Sequence, residues 1–151
     1  MGFRNLGHVA IGVSDMEKAL GFYRDVLGLK VRHDDTENFE EMGELKPHTR
    51  RGVYLSWSEG PDEAFIVLDQ HDRGGSPDPK PFFDYGYHHF GFWVDHVDEI
   101  HERALAAGAH VMVPPSNSDS ILFGEAPGKT LRTCILKDPD GNIVQFDQRL
   151  G

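Results

Sequence analysis

Gly7-His8-Val9-Ala10-Ile11-Gly12-Val13-Ser14-Asp15 is echoed later in the chain by His88-His89-Phe90-Gly91-Phe92-Trp93-Val94-Asp95. With His8 laid on His89 the offset is 81 positions, and Val13 meets Val94, Ser14 meets Asp95 and Glu17 meets Asp98. Each copy is a short apolar run, opened by a histidine and closed by a residue suited to cap a helix. An internal repeat is the strongest statement a single sequence makes about its architecture.

Further pairs extend the repeat. Leu27-Gly28-Leu29-Lys30-Val31 returns as Ala107-Gly108-Ala109-His110-Val111, and Ile66-Val67-Leu68-Asp69-Gln70 as Val144-Gln145-Phe146-Asp147-Gln148. The 151 residues are therefore expected to form a single domain, 1–151, of two similar modules, 1–70 and 87–151, joined by a linker at 71–86.

Within each copy the patterns alternate between strand and helix. Phe3 to Val13 reads as a strand, and Ser14-Asp15-Met16-Glu17 as a capping box. Ala19, Phe22, Tyr23, Val26 and Leu27 then form one helical apolar stripe, which Gly28 ends. Strands are expected at 29–33, 52–57 and 64–70, with an irregular acidic loop at 34–49 and a turn at Glu59-Gly60-Pro61-Asp62. The linker carries Gly74, Gly75, Pro77, Pro79 and Pro81, then Phe82, Phe83, Tyr85 and Tyr87.

The second copy repeats the plan. A strand is expected at 87–94, and Asp95 then caps a helix with Val97, Ile100, Ala104 and Ala107 facing inward. A strand at 109–113 and a loop at 114–129 follow. The copy closes on a hairpin of 131–136 and 142–148 around Asp138-Pro139-Asp140-Gly141. Each copy is βαβββ, and the fold class is α+β.

Composition sets bounds on function. A formal charge of -10 disfavours nucleic acid and anionic membranes as partners. The one cysteine, Cys134, excludes an internal disulfide and suits a reducing, cytoplasmic setting. No run approaches the roughly 20 apolar residues of a membrane span, and the N-terminus has no signal-peptide pattern. The expected partner is a small molecule.

The motifs together resemble the vicinal oxygen chelate superfamily, which includes glyoxalase I, extradiol dioxygenases, fosfomycin-resistance proteins, methylmalonyl-CoA epimerase and bleomycin-binding proteins. The resemblance rests on His8-Val9-Ala10 with Ser14-Asp15, Phe22 to Gly28, His89 to Val94, and Asp138-Pro139-Asp140-Gly141-Asn142. It implies that the two βαβββ modules curl a mixed β-sheet into a half-open cup, and that the chain forms a homodimer. It also implies metal ligands on the first and last strands of each module. His8, His89 and Gln145 match three of those four positions, and Val67, on the last strand of the first module, has no ligating atom. Gln145 stands where most enzymes of the family carry glutamate, and an amide is a weaker, uncharged ligand.

Two functions follow from the resemblance. In one, a divalent metal (Fe, Mn, Ni or Zn) at His8, His89 and Gln145 serves a dioxygenase or lyase acting on a small substrate with vicinal oxygens. In the other, the cup is metal-free and sequesters a flat hydrophobic compound, as bleomycin-resistance proteins do. Tyr54, Trp57, Phe92 and Trp93 are the candidate substrate-binding residues in either case. His88, one residue from His89, is expected on the opposite face of its strand and outside the ligand set.

Overall fold

The computed structural model describes residues 2, 4–60, 62–75 and 79–151. Phe3 of the expected first strand, Pro61 of the expected turn and Pro77 of the linker lie outside the described residues. The chain divides into two compact units, Met1–Pro77 and Asp78–Gly151, and each repeats the same plan.

The first unit contains β1 (His8–Gly12), α1 (Met16–Leu20), β2 (Lys30–Phe39), β3 (His48–Ser56) and β4 (Phe65–His71). The second contains β5 (His89–Trp93), α2 (Val97–Ala106), β6 (His110–Asp119), β7 (Thr130–Lys137) and β8 (Ile143–Arg149). The sheet orders are β1-β4-β3-β2 and β5-β8-β7-β6. The first strand of each unit runs parallel to the last, and the other pairings are antiparallel, so both sheets are mixed.

Each sheet buries one face. Register partners share a face, so Ile11 with Leu68, and Leu55 with Ile66, form the buried side of the first sheet. Met16, Ala19 and Leu20 of α1 are buried with them, and the apolar stripe continues through Phe22, Tyr23 and Val26 in one π-helical stretch, Gly21–Val26. Gly28 then turns at φ 80°, a conformation glycine adopts at little cost. In the second unit Val144, Leu136, Cys134 and Phe146 form the corresponding layer against α2, which buries Val97 and Ala104. Ala107, expected to face inward, is exposed because the helix has already ended at Ala106.

Four expectations about local structure are corrected. Asp15, not Ser14, is the first N-cap: its Oδ1 accepts from Glu17 N at 3.1 Å and Lys18 N at 3.2 Å. A carboxylate there also meets the positive end of the helix. In the second unit the N-cap is His96, not Asp95, and no side chain of the cap itself closes the turn. A glutamine of the last strand does so instead: Gln148 Oε1 accepts from Val97 N at 3.0 Å, as Gln70 Oε1 accepts from Met16 N at 2.8 Å. The glutamine repeated at the end of each last strand thus carries a structural device used in both copies.

The other two corrections concern the expected loops. β2 runs six residues into the acidic stretch, because its carboxylates meet arginines across the ladder: Glu37 faces Arg50, and Asp34 bonds Arg51 at 2.8 and 2.9 Å. β6 runs on through Pro114 and Pro115 to Asp119, with register shifts on either side of Val113 that accommodate the prolines.

Candidate functional site

The face of each sheet turned away from its helix, its open face, carries the residues that the sequence singled out; His8, His89 and Trp93 are exposed on it, whereas Val67, Ile143 and Asp147 are buried. In the first unit His8, Ala10 and Gly12 of β1 share this face with Phe65, Val67 and Asp69 of β4. Tyr54 of β3 is the register partner of Val67 and joins them. The His8 ring stacks on Phe65 at 5.3 Å, and Tyr54 lies 5.8 Å from Phe65. Trp57 follows the end of β3 and is about half exposed.

Further along the same face Arg50 organises a charged network. Its guanidinium lies across Gly52, where a Cβ would stand 2.8 Å from Nη2, so any larger residue there would make the guanidinium shift. It bonds Glu37 at 2.8 Å and the Tyr54 hydroxyl at 3.0 Å, and it sits 5.1 Å from the centre of the Phe39 ring. Asp69 Oδ1 is 3.2 Å from Arg50 Nη1, yet neither that oxygen nor Arg50 Nε has a well-aligned hydrogen-bond partner. Burial holds the Asp69 carboxyl above its ordinary pKa, outweighing the attraction of Arg50.

In the second unit His89, Gly91 and Trp93 occupy the open face of β5 beside Ile143, Gln145 and Asp147 of β8. Gln145 donates from Nε2 to both oxygens of Asp147, each at 3.0 Å, and Thr133 Oγ1 donates to Asp147 Oδ1 at 2.6 Å. Asp147 is 5% exposed. It fixes the amide by its nitrogen, leaving the carbonyl oxygen as the function Gln145 offers to a ligand. Gly91 keeps the space beside the pair open: a Cβ there would make ordinary contacts with Gln145 Cβ at 3.6 Å and Asp147 Oδ2 at 3.7 Å.

The His89 ring stacks on Phe82 at 4.8 Å, 14° from parallel, and its Nδ1 lies 2.7 Å from Nδ1 of His88. Partial desolvation and then His88 lower the His89 pKa, while Asp147 pulls it upward. Sequence alternation placed His88 away from His89. The structure corrects this: β5 pairing begins at His89, so the side chain of the residue before it is not bound to the strand's alternation.

At the other end of the face, Trp93 packs against Phe123 at 5.4 Å, and Arg149 lies 4.3 Å over its ring. Arg149 is held from behind by both oxygens of Glu125. Phe92 lies on the opposite side of β5, stacked on buried Phe146 at 5.9 Å, and so faces α2 rather than the open surface. Among the described residues no three histidine, cysteine, aspartate or glutamate side chains converge as metal-holding groups do. The candidate donors in the second unit are an imidazole and an amide oxygen, with a carboxylate one step behind.

Residues 5–146 match the Glyoxalase/Bleomycin resistance protein/Dioxygenase superfamily. The methylmalonyl-CoA epimerase of Mus musculus is 29% identical over 150 residues, covering 95% of this chain and 72% of that protein. The lactoylglutathione lyase of Haemophilus influenzae is 24% identical over 145 residues, covering 92% and 88%. A glyoxalase family protein of Bacillus cereus has the same fold, with a TM-score of 0.76, 19% identity, and coverage of 100% of this chain and 97% of that one.

Proposed function

Since this chain belongs to the Glyoxalase/Bleomycin resistance protein/Dioxygenase superfamily, we propose that it is an enzyme of lyase or dioxygenase type acting on a small substrate with neighbouring oxygens. The open face of the second unit is its site. The observation that carries the reading is the oriented pair of neutral donors, His89 and Gln145, on one face of adjacent strands. The named activities of the mouse and Haemophilus relatives, an epimerase and a lyase, favour enzyme over binding protein.

The donor set suits a divalent ion. Imidazole nitrogen and amide oxygen are both accepted ligands of first-row metals, and Asp147 adds one negative charge without taking a coordination position. When bound, the metal would supply Lewis-acid polarisation of the substrate oxygens. The chain's own residues do the rest. His89 and Gln145 present their donors in fixed orientations, Asp147 and Thr133 hold the amide, and Trp93 with Phe123 offers an aromatic wall.

A second reading, metal-free binding of a flat small molecule, is favoured by the same neutrality. With the Asp147 carboxylate buried and engaged by Gln145 and Thr133, His89 and Gln145 would hydrogen-bond a ligand lying along Trp93. Calorimetric titration with Fe(II), Mn(II), Ni(II) and Zn(II) decides. Wild type should take up at least one of these ions, Gln145→Glu should bind it at least tenfold more tightly, about 1.4 kcal/mol, and His89→Ala should lose it. No uptake by wild type, with uptake by Gln145→Glu, would overturn the enzyme reading and leave the binding one.

A further inference from the structure

We infer that His88 is a positioning residue that sets which nitrogen of His89 faces the site, an inference that rests on His89 being a donor of the proposed site. The two Nδ1 atoms are 2.7 Å apart, a hydrogen bond that needs a proton on one nitrogen and a lone pair on the other. Two neutral imidazoles joined in this way hold opposite tautomers. If the proton sits on His89 Nδ1, His89 Nε2 presents a lone pair. If it sits on His88 Nδ1, His89 carries its proton on Nε2, which can then only donate. A histidine that serves as a ligand gives its other N–H to an acceptor that fixes tautomer and ring orientation, and His88 Nδ1 is the atom placed to be that acceptor.

The aromatic packing alone cannot make this choice. Phe82 lies nearly parallel to the His89 ring, at 14°, and holds its plane. A half-turn of the imidazole about χ2 preserves that stacking but exchanges Nδ1 for Cδ2. The hydrogen bond to His88 distinguishes the two flips, and stacking does not. His88 is held in turn by the Phe82 and Phe83 rings at 5.4 and 5.8 Å, and Phe83 adopts φ 68°, an uncommon conformation for a side-chain-bearing residue. The aromatic end of the linker thus has a defined task, holding the acceptor beside His89.

The test needs no metal. Long-range ¹H–¹⁵N correlation spectra of the full chain report the tautomer of each histidine ring, and the His88→Ala spectrum assigns the pair. In wild type His89 should carry its proton on Nδ1, with a pyridine-type Nε2, and His88 should show the opposite pattern. In His88→Ala, His89 should move toward the Nε2–H form. His88→Asn, whose side-chain oxygen can replace the Nδ1 acceptor, should restore the wild-type signature. A proton on Nε2 of His89 in wild type, or His89 shifts unchanged in His88→Ala, would overturn the inference. Metal affinity forms a separate arm. It should fall about 10- to 100-fold in His88→Ala and recover in His88→Asn. Absence of metal uptake by wild type with the expected tautomers intact would remove the donor reading alone.

Discussion

In the proposed reading Gln145 decides what the open face of the second unit binds, and its neighbour Asp147 is the reason an amide suits that position. Asp147 is buried and takes both of its amide donations from Gln145. A glutamate in that position would place two carboxylates side by side, and one would have to take up a proton or find a cation. The glutamine avoids that conflict in the absence of metal, and its replacement by glutamate needs a proton or a metal to relieve it. Gly91 matters for a different reason, the space it leaves. Its backbone is ordinary and its missing Cβ would meet only normal contacts, so Gly91→Val should fold, with unfolding free energy within about 1 kcal/mol of wild type in urea. The added methyls should reach over Gln145 and abolish metal or ligand uptake. Uptake unchanged in Gly91→Val would place the site elsewhere.

At the scale of elements, the clearest feature is the pair of glutamines that close the helix N-termini from the last strand of each unit. Met16 is 1% exposed and Val97 is fully buried, so water is a poor substitute for the lost acceptor. Gln148→Ala should therefore cost about 1–2 kcal/mol in urea unfolding, whereas Gln148→Glu, which keeps an acceptor at the positive end of α2, should cost less. Equal costs for the two variants would show that the contact is packing rather than capping. This device was half legible: Gln70 and Gln148 were visible as repeat partners, but only the fold brings each to the helix that opens its own unit. The strands were legible where apolar residues alternate. They were not legible in β2 beyond His33, where Asp34 and Glu37 look like loop residues until Arg50 and Arg51 face them. Nor was the link from His88 to His89 legible, because strand alternation does not govern a residue just outside the strand. His8, His89, Tyr54 and Trp93 were all expected at the site and all lie on open sheet faces. Phe92 differs by one residue from Trp93, and that single step puts it on the buried side.

At the scale of the whole chain, one plan is written twice and the copies have diverged on their open faces. Val67 and Gln145 hold the same position in the repeat, two residues before Asp69 and Asp147. In the first unit the aspartate faces a cation, Arg50. In the second it faces an amide and a hydroxyl, and it leaves a neutral, outward-facing donor pair. Among the described residues no helix is long and apolar enough to cross a membrane. The proposed small ligand belongs to the second of these faces. The most direct measurement is anomalous diffraction from crystals of the full chain grown with each of Fe(II), Mn(II), Ni(II) and Zn(II). The expected result is one anomalous peak at coordination distance, about 2.0–2.3 Å, from His89 Nε2 and the Gln145 carbonyl oxygen. A peak at other residues, or none with any of the four ions at saturating concentration, would contradict the assignment of the site.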